Sequence, residues 1–563
     1  MLFDHIVKIP SETRKVVFQK RKDVAYVLYE VDRVYVPERK LTLPKRVTVG
    51  KRCPDNPEMM WPNEKYYELF PNEPMPETDD VSLRSSCLKL GSHIVIEKVV
   101  QEYELNRILG HHFDERDVGL IIDLAAYQII EEHNAAQYYP DYAYNHPLFT
   151  PSMNILSDST ISEFFNSITH EQIQGFLNEW NLNQDKKDRL YISYDSTNKN
   201  TQAGDIDIVE FGKAKDEKGL PIFNVSLAFD QTNEKPLFYE MYPGSINDVS
   251  QFQYMVDRAL DYNYKNIGFI LDRGYFSRSN IEYMDKHHYA FIMMIKGCKP
   301  LVKSLVLERF GHFEYDPNCL LNGLKLSGVT VKHPLYKGDR QRHIHVYYSS
   351  DRMNQDRNQF LQNLNEMRQL HEKVKGKVVS FTPIHERYFD LNFDNQGRFL
   401  CATPKNEMIE QDLKLCGYFT IVTSEAMTAE EAYRLYKGRD SSEKLFRADK
   451  SFLGADCMRV HSGESLATKT FVGFIALIIR NRIYCLLREQ MQRLTVKRNY
   501  LTVPAAIREL EKIEMIRGND GRYRIDHALT RTQKTILGSF GIDEEWVRTK
   551  AVKVADALAN KPK

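Results

Sequence analysis

The chain has 563 residues, 42% hydrophobic and 27% charged, with 27 Gly and 22 Pro. This is the composition of an ordinary globular protein of about three or four domains, and it excludes a disordered or collagen-like chain. Basic and acidic residues number 77 each, for a formal net charge of zero, yet they are unevenly spread. Residues 1–52 carry +7, 53–185 carry −17, 186–430 balance and 431–563 carry +10. Basic ends around an acidic and then a neutral section predict a polyanion-binding protein that shields part of its own charge. The longest apolar run, Phe471 to Ile479, spans nine residues, under half of the ~20 that cross a bilayer. No basic and then apolar leader follows Met1, so the expectation is a cytoplasmic protein without a membrane segment. The eight cysteines are dispersed and lack zinc-ligand spacing, which predicts reduced thiols.

Residues 1–85 read as a basic β-rich arm. Ala25 to Tyr29, Val34 to Val36 and Leu41 to Val49 are β-branched and aromatic runs between charged turns, and the six prolines of 53–85 mark a linker. Residues 86–185 take helical period as a DNA-binding or linking domain. There, Thr160 with Glu163 and Thr169 with Gln172 form two capping-box patterns, followed by Ile161, Phe164, Phe165 and Ile168 and by Ile173, Phe176, Leu177 and Trp180. Two short helices at a tight turn suit either helix-turn-helix DNA reading or plain helical packing. In 186–300 strand-like runs end at Asp195, cover Ile206 to Phe211, Phe223 to Phe229 and Leu237 to Tyr242, and end again at Asp272. With a helix over Val249 to Leu260 and a strand over Ala290 to Ile295, the fold class is α/β, a mixed sheet with helices on its faces. Residues 301–427 read as a β-rich insertion of short strands and turns. Helical period resumes at Thr428 with Glu431 for 428–490, and 491–563 form a C-terminal helical region.

Asp195 and Asp272 each follow an apolar strand, and an open α/β sheet places its crevice at such ends. A single strand-end Asp is as readily a cap as a ligand. Tyr436, Glu443 and Lys450 are spaced by seven, which at about 100° per residue returns to within about 20° on a helix, and Arg439 lies one turn before the Glu. A carboxylate beside two cations and a phenol suits a metal ion held by the Glu and phosphate oxygens gripped by Arg, Lys and Tyr. A solvated helix face, with Asp440, Lys444, Arg447 and Asp449, is the plain alternative.

The pattern Y-x(2)-R-x(3)-E-x(6)-K at Tyr436, Arg439, Glu443 and Lys450 resembles the signature of the DDE transposases of bacterial insertion sequences that carry the Tyr-Arg-Glu-Lys motif. Asp272-Arg273-Gly274-Tyr275 resembles the family's run at its second Asp, Pro243 to Asp248 the segment before it, and Phe291 to Lys296 its fifth strand, over roughly residues 186–490. The resemblance implies a ribonuclease-H-like core in which Asp195, Asp272 and Glu443 are catalytic and hold two Mg²⁺ ions, Mn²⁺ substituting. Tyr436, Arg439 and Lys450 would contact DNA, with Arg273 and Arg459 as further phosphate contacts. It further implies double-stranded DNA as partner, at terminal inverted repeats and at the target, a homodimer in the synaptic complex and a place at the bacterial nucleoid. One branch of the family stacks an insertion Trp on a flipped base. Trp61, Trp180 and Trp546 all lie outside the insertion, which leaves Tyr336, Tyr347 or Tyr348 for that role. A nuclease that cuts without joining, and a non-catalytic DNA-binding regulator, are the competing readings.

Overall fold

The computed structural model of the protein describes residues 5–559 except 12–14, 22–23, 37–40, 55, 74–83, 185–188, 202, 204–205, 213–218, 247, 263, 265, 297–298, 314, 441–443, 446–452, 454–456 and 496–497. Two units emerge, residues 1–168 with 468–563 and residues 169–467.

The first unit opens with β1 (Val7–Lys8), β2 (Val16–Arg21), β3 (Val24–Val36), β4 (Leu41–Arg52) and β5 (Met59–Pro62). They form an antiparallel sheet in the order β1-β5-β4-β3-β2. Val27, Tyr29, Val49 and Met60 make its core with Tyr66 of α1 (Glu64–Leu69). The separate runs expected at 25–29 and 34–36 are one strand of 13 residues. Bulges at Val27/Leu28 and Glu30/Asp32 let the ladder continue through the charged stretch. The linker expected over 53–85 contains β5, which pairs on both edges. Gly50 makes that approach possible, since a Cβ there would stand 2.5 Å from the Trp61 carbonyl oxygen.

Strand β6 (Cys87–Lys89) leads into α2 (Gly91–Glu102), α3 (Leu105–Gly110), α4 (Glu115–Glu131), α5 (Tyr139–Asn145) and α6 (Asp158–Ser167). Asp114 caps α4 by accepting from the Asp117 amide at 2.8 Å. The cap of α6 is Ser157, not Thr160: its hydroxyl accepts from the Thr160 amide at 3.2 Å. This start sets Asp158 in the first turn, at the positive end of the helix. The helix Gly463–Arg493 is long and apolar enough to cross a membrane by length and composition, and 83% of that apolar window is buried inside the fold. The region 491–563 is not wholly helical. Strands Glu514–Arg517 and Tyr523–Ile525 form a hairpin around an Asn519-Asp520-Gly521 turn and pair onto β6, with Met515 opposite Leu88. Glu511 draws Ser92, His146 (2.9 Å) and Lys89 (3.5 Å) to one carboxylate.

The second unit begins with α7 (His170–Leu182), closed by the expected Thr169–Gln172 capping box. Its Trp180 and Asn181 side chains donate to the Pro236 and Leu237 carbonyls, both at 2.9 Å. Then follow β7 (Leu190–Asn200), β8 (Ile222–Asp230), β9 (Lys235–Pro243), α8 (Asp248–Asp261), β10 (Ile267–Leu271), α9 (Arg278–Lys286) and β11 (Ala290–Met294). Next come α10 (Lys299–Leu307), β12 (Ser327–His333), β13 (Arg342–Tyr348), α11 (Ser350–Val374) and α12 (Pro383–Tyr388). The series ends with β14 (Phe389–Phe393), β15 (Phe399–Pro404), α13 (Asn406–Leu413), β16 (Tyr418–Thr423) and α14 (Ala429–Lys437). One eight-stranded mixed sheet runs β12-β13-β16-β11-β10-β7-β8-β9. Strands β7, β10 and β11 are mutually parallel and the other pairings antiparallel. On one face Phe252 of α8 meets Tyr194, Phe269 and Tyr275. On the other, Ala429, Ala432 and Tyr436 of α14 join Ile270, Ile292, Tyr347 and Ile421.

Two expectations change here. Ile206 to Phe211 is a turn, closed by the Val209 amide on the Ile206 carbonyl, with a single bridge from Glu210 to Ile222. The region 301–427 is no separate run of short strands. Its β12, β13 and β16 widen the main sheet, and it contains the 25-residue helix α11. Only His371 of α11 is buried, so its apolar period is faint in the sequence.

Candidate active site

The site grows from the register of β7 and β10. Parallel pairing matches Ile267 with Leu190 and proceeds residue by residue to Leu271 with Tyr194. Asp272 keeps extended backbone (φ −69°, ψ 160°), so the next step of the register sets it beside Asp195. Neighbouring strands lie about 4.8 Å apart and paired residues share a face, so the two carboxyl groups leave the same face of adjoining strands. Asp195 does not end its strand as expected. β7 runs on to Asn200, paired with antiparallel β8 from Asp195 opposite Leu227 to Asn200 opposite Ile222, and bridged at Asn200 to Cys457. The carboxylates therefore stand where the parallel pairing of β7 with β10 stops.

Both are locally fixed. The Ser196 amide donates to Asp195 Oδ1 at 2.8 Å. After Asp272 the chain turns through Arg273–Tyr275, with the Tyr275 amide on the Asp272 carbonyl at 3.0 Å. Tyr275 is buried among aromatic rings, and its carbonyl accepts from the fully buried Asn280 amide group at 3.0 Å. Gln253 of α8 donates in turn to Asn280 Oδ1 at 3.3 Å. The sequence reading missed Asn280 and Gln253. The only sequence sign is the Ser277 cap, whose hydroxyl accepts from the Asn280 amide at 3.1 Å.

The stripe divides. Tyr436 lies in the last turn of α14, whose end at Lys437 is capped at Gly438. Arg439 sits in the turn beyond, its amide on the Tyr436 carbonyl at 3.1 Å. Gly438 keeps right-handed backbone (φ −53°, ψ −27°), but α14 ends at Lys437 and residues 438–439 are a turn, so the single helix that the spacing predicted is interrupted here. Tyr436 is 8% exposed and belongs to the core, and the Arg439 guanidinium stands 5.7 Å above its ring. Arg439 Nη1 lies 3.9 Å from Asp272 Oδ1. Glu443 and Lys450 fall outside the described residues, as do Arg447 and Asp449; Asp440, Lys444 and Leu445 near them are helical. Arg273 is exposed on the turn after Asp272. Arg459 is exposed in a segment bridged to the far end of β7, with the Met458 amide on the Asn200 carbonyl at 2.9 Å. Tyr347 is fully buried, stacked on Phe419 at 4.9 Å, and has no face for a base. Tyr348 and Tyr336 are partly exposed.

Asp195 and Asp272 offer hard carboxylate oxygens from adjoining ends of one parallel strand pair, and Asp272 is 37% exposed, a donor set that fits a divalent hard cation. Among the described residues, no group of three His, Cys, Asp or Glu is arranged to hold a metal ion.

Residues 189–479 match a known family, the transposase DDE domain. No match is found among curated proteins. Among solved structures, the piggyBac transposase synaptic complex with hairpin DNA is similar at 7% identity and a TM-score of 0.34, over 84% of this chain and 83% of that chain. More than half of the sequence lies within the matched segment, and the chain belongs to the transposase DDE domain family.

Proposed function

We propose that the protein is a cut-and-paste DNA transposase of a bacterial insertion sequence with the Tyr-Arg-Glu-Lys signature. It cuts at the terminal inverted repeats of its own element and joins those ends to target DNA. The observation that carries this reading is the register that sets Asp195 beside Asp272, inside the family-matched segment and next to Arg439. The strand order β9-β8-β7-β10-β11, with β7, β10 and β11 parallel, supports a ribonuclease-H-like core widened by β16, β13 and β12.

In this reading Asp195, Asp272 and Glu443 hold two Mg²⁺ ions, with Mn²⁺ able to substitute. When bound, such a pair supplies Lewis-acid activation of the attacking oxygen and stabilisation of the leaving one in an in-line displacement. The chain's own groups do the positioning. Arg439, braced on the Tyr436 ring, presents planar donors to a phosphate oxygen beside Asp272. Arg273, Lys450 and Arg459 extend the grip along the strand. Two protomers on two ends, acting on chromosomal DNA in a bacterial cytoplasm, complete the proposal.

The test uses purified protein and duplexes carrying the DNA that flanks the gene on each side. Nicking at the repeat boundary should require Mg²⁺ or Mn²⁺, and joined products should appear with a target plasmid. Cleavage without any joining would favour the nuclease, and binding without cleavage would favour the regulator.

A further inference from the structure

We propose that the β3–β4 ribbon is a DNA-reading arm that enters the major groove of the element's terminal DNA; this rests on the transposase reading above. Strand β2 pairs only with Val24 to Tyr29 of β3, and β5 only with Gly50 to Arg52 of β4. The six pairs from Glu30 opposite Arg46 to Val36 opposite Leu41 therefore have no third strand among the described residues. At about 3.3 Å per residue they project roughly 20 Å. A two-stranded ribbon is one of the two shapes that the major groove, about 12 Å wide, admits.

The ribbon's surface suits that partner. Residues 16–52 hold ten Lys and Arg against four Asp and Glu. Lys20, Arg33, Lys45 and Arg46 are exposed, and the buried Glu30 carboxylate fixes two of them at the ribbon's base, Arg33 at 2.7 Å and Arg46 at 3.7 Å. Cross-strand partners share a face, so Arg33, Tyr35 and Thr42 lie together and Val34 and Leu43 lie opposite. Tyr35 is 59% exposed. The Tyr35 phenol and the Thr42 hydroxyl in one row are hydrogen-bonding groups of the kind that read base edges, and the cations Arg33, Lys45 and Arg46 nearer the base reach the flanking phosphates. The bulge at Glu30/Asp32 adds twist to the ribbon where it leaves the sheet.

The experiment measures binding of the full-length protein to duplexes carrying the DNA flanking the gene and to shuffled duplexes of the same composition. Tyr35→Ala with Thr42→Ala should lower the preference for flanking DNA about ten-fold or more while the salt dependence stays the same. Lys45→Ala with Arg46→Ala should weaken both duplexes alike and reduce the salt slope by about two. Methylation of guanine N7, which lies in the major groove, should interfere with binding of the unsubstituted protein. Val34→Ser with Leu43→Ser should leave the preference intact. An unchanged preference in the Tyr35/Thr42 variant would overturn the proposal. So would a Val34/Leu43 variant that alters self-association by sedimentation while the other variant reads DNA normally, since the ribbon would then be a contact between copies. Mg²⁺-dependent nicking at saturating protein separates this from the reading beneath it. Nicking retained with preference lost is the result expected here, whereas no nicking by the unsubstituted protein sinks the transposase reading alone.

Discussion

Arg439 and Asp272 face each other at 3.9 Å, one from the turn after α14 and the other from the turn after β10. At that distance the pair is a loose ion pair, with room for a phosphate oxygen to take up the guanidinium. Replacing Arg439 by Ala should slow cleavage by roughly one to two orders of magnitude without unfolding the protein, and Arg439→Lys should restore little, because the planar fork is lost. Single-turnover cleavage together with thermal melting measures both. Full activity in Arg439→Ala would return the residue to a surface role. Tyr436→Ala should instead cost stability, about 3–5 kcal/mol, because the ring is part of the core.

Asp195→Ala, Asp272→Ala and Glu443→Ala should each abolish cleavage and leave DNA binding largely intact, because each removes a carboxylate and not a cation. Gel-shift and nicking assays on the same preparations separate the two outcomes. Wild-type cleavage by Glu443→Ala would remove the third carboxylate from the proposed set.

Asn280 acts at a distance from the chemistry. It holds the Tyr275 carbonyl and receives Gln253, so it fixes the turn that carries Asp272. Asn280→Ala should cost about 1–3 kcal/mol in stability by leaving buried polar groups unpaired. It should also raise the Mg²⁺ concentration needed for half-maximal cleavage. A loss of stability with an unchanged metal requirement would mean that Asn280 only supports the fold.

Acid should weaken the fold. Burial lowers His93 to about 3 and His345 to about 4. Burial also lowers His371 and His385, whose rings bond each other at 2.8 Å. These imidazoles are neutral in the fold and take up protons in the unfolded chain near pH 6.5, so their contribution is present above about 6.5 and is lost as pH falls toward the folded values. Asp123 acts in the opposite sense: burial raises it to about 7, so its contribution is present at low pH and is lost as pH rises through that value. Asp117 and Glu240 are raised by burial in the same sense as Asp123, while Asp339, Glu511 and Asp520 are held low by their partners and lose stability in acid with the four imidazoles. Melting temperature should therefore fall on acidification below about pH 6.5, and His345→Gln should flatten the slope. An unaltered slope in His345→Gln would show that this imidazole does not set it.

How far the sequence can be read depends on how local each signal is. The runs around β7, β8, β9, β10 and β11 are legible because buried central strands are continuous apolar stretches, and Thr169 and Thr428 announce their helices by capping chemistry. α11 is hidden because a helix that buries one residue needs no apolar stripe. The break at Gly438 is hidden because its backbone stays right-handed, so the Tyr436-to-Lys450 spacing reads straight through the turn. The pairing of Asp195 with Asp272 is half legible. Each residue marks a strand end by composition, but only the register shows that the two ends coincide and that β7 continues past them.

The strand pairing between β6 and the C-terminal hairpin sets the order in which a newly made chain can fold. Tyr523 donates its hydroxyl hydrogen bond to the Ser85 carbonyl across 438 positions. At ribosomal speeds of about 5–20 residues per second, these partners emerge roughly 20–90 seconds apart. The large mixed sheet, contained in residues 169–467, has all of its strands in hand before that hairpin exists. Its strand-end aspartates Asp195 and Asp272 are thus in place while the first unit still awaits its last strands, and a chain released early by the ribosome would carry the large sheet without a closed first unit.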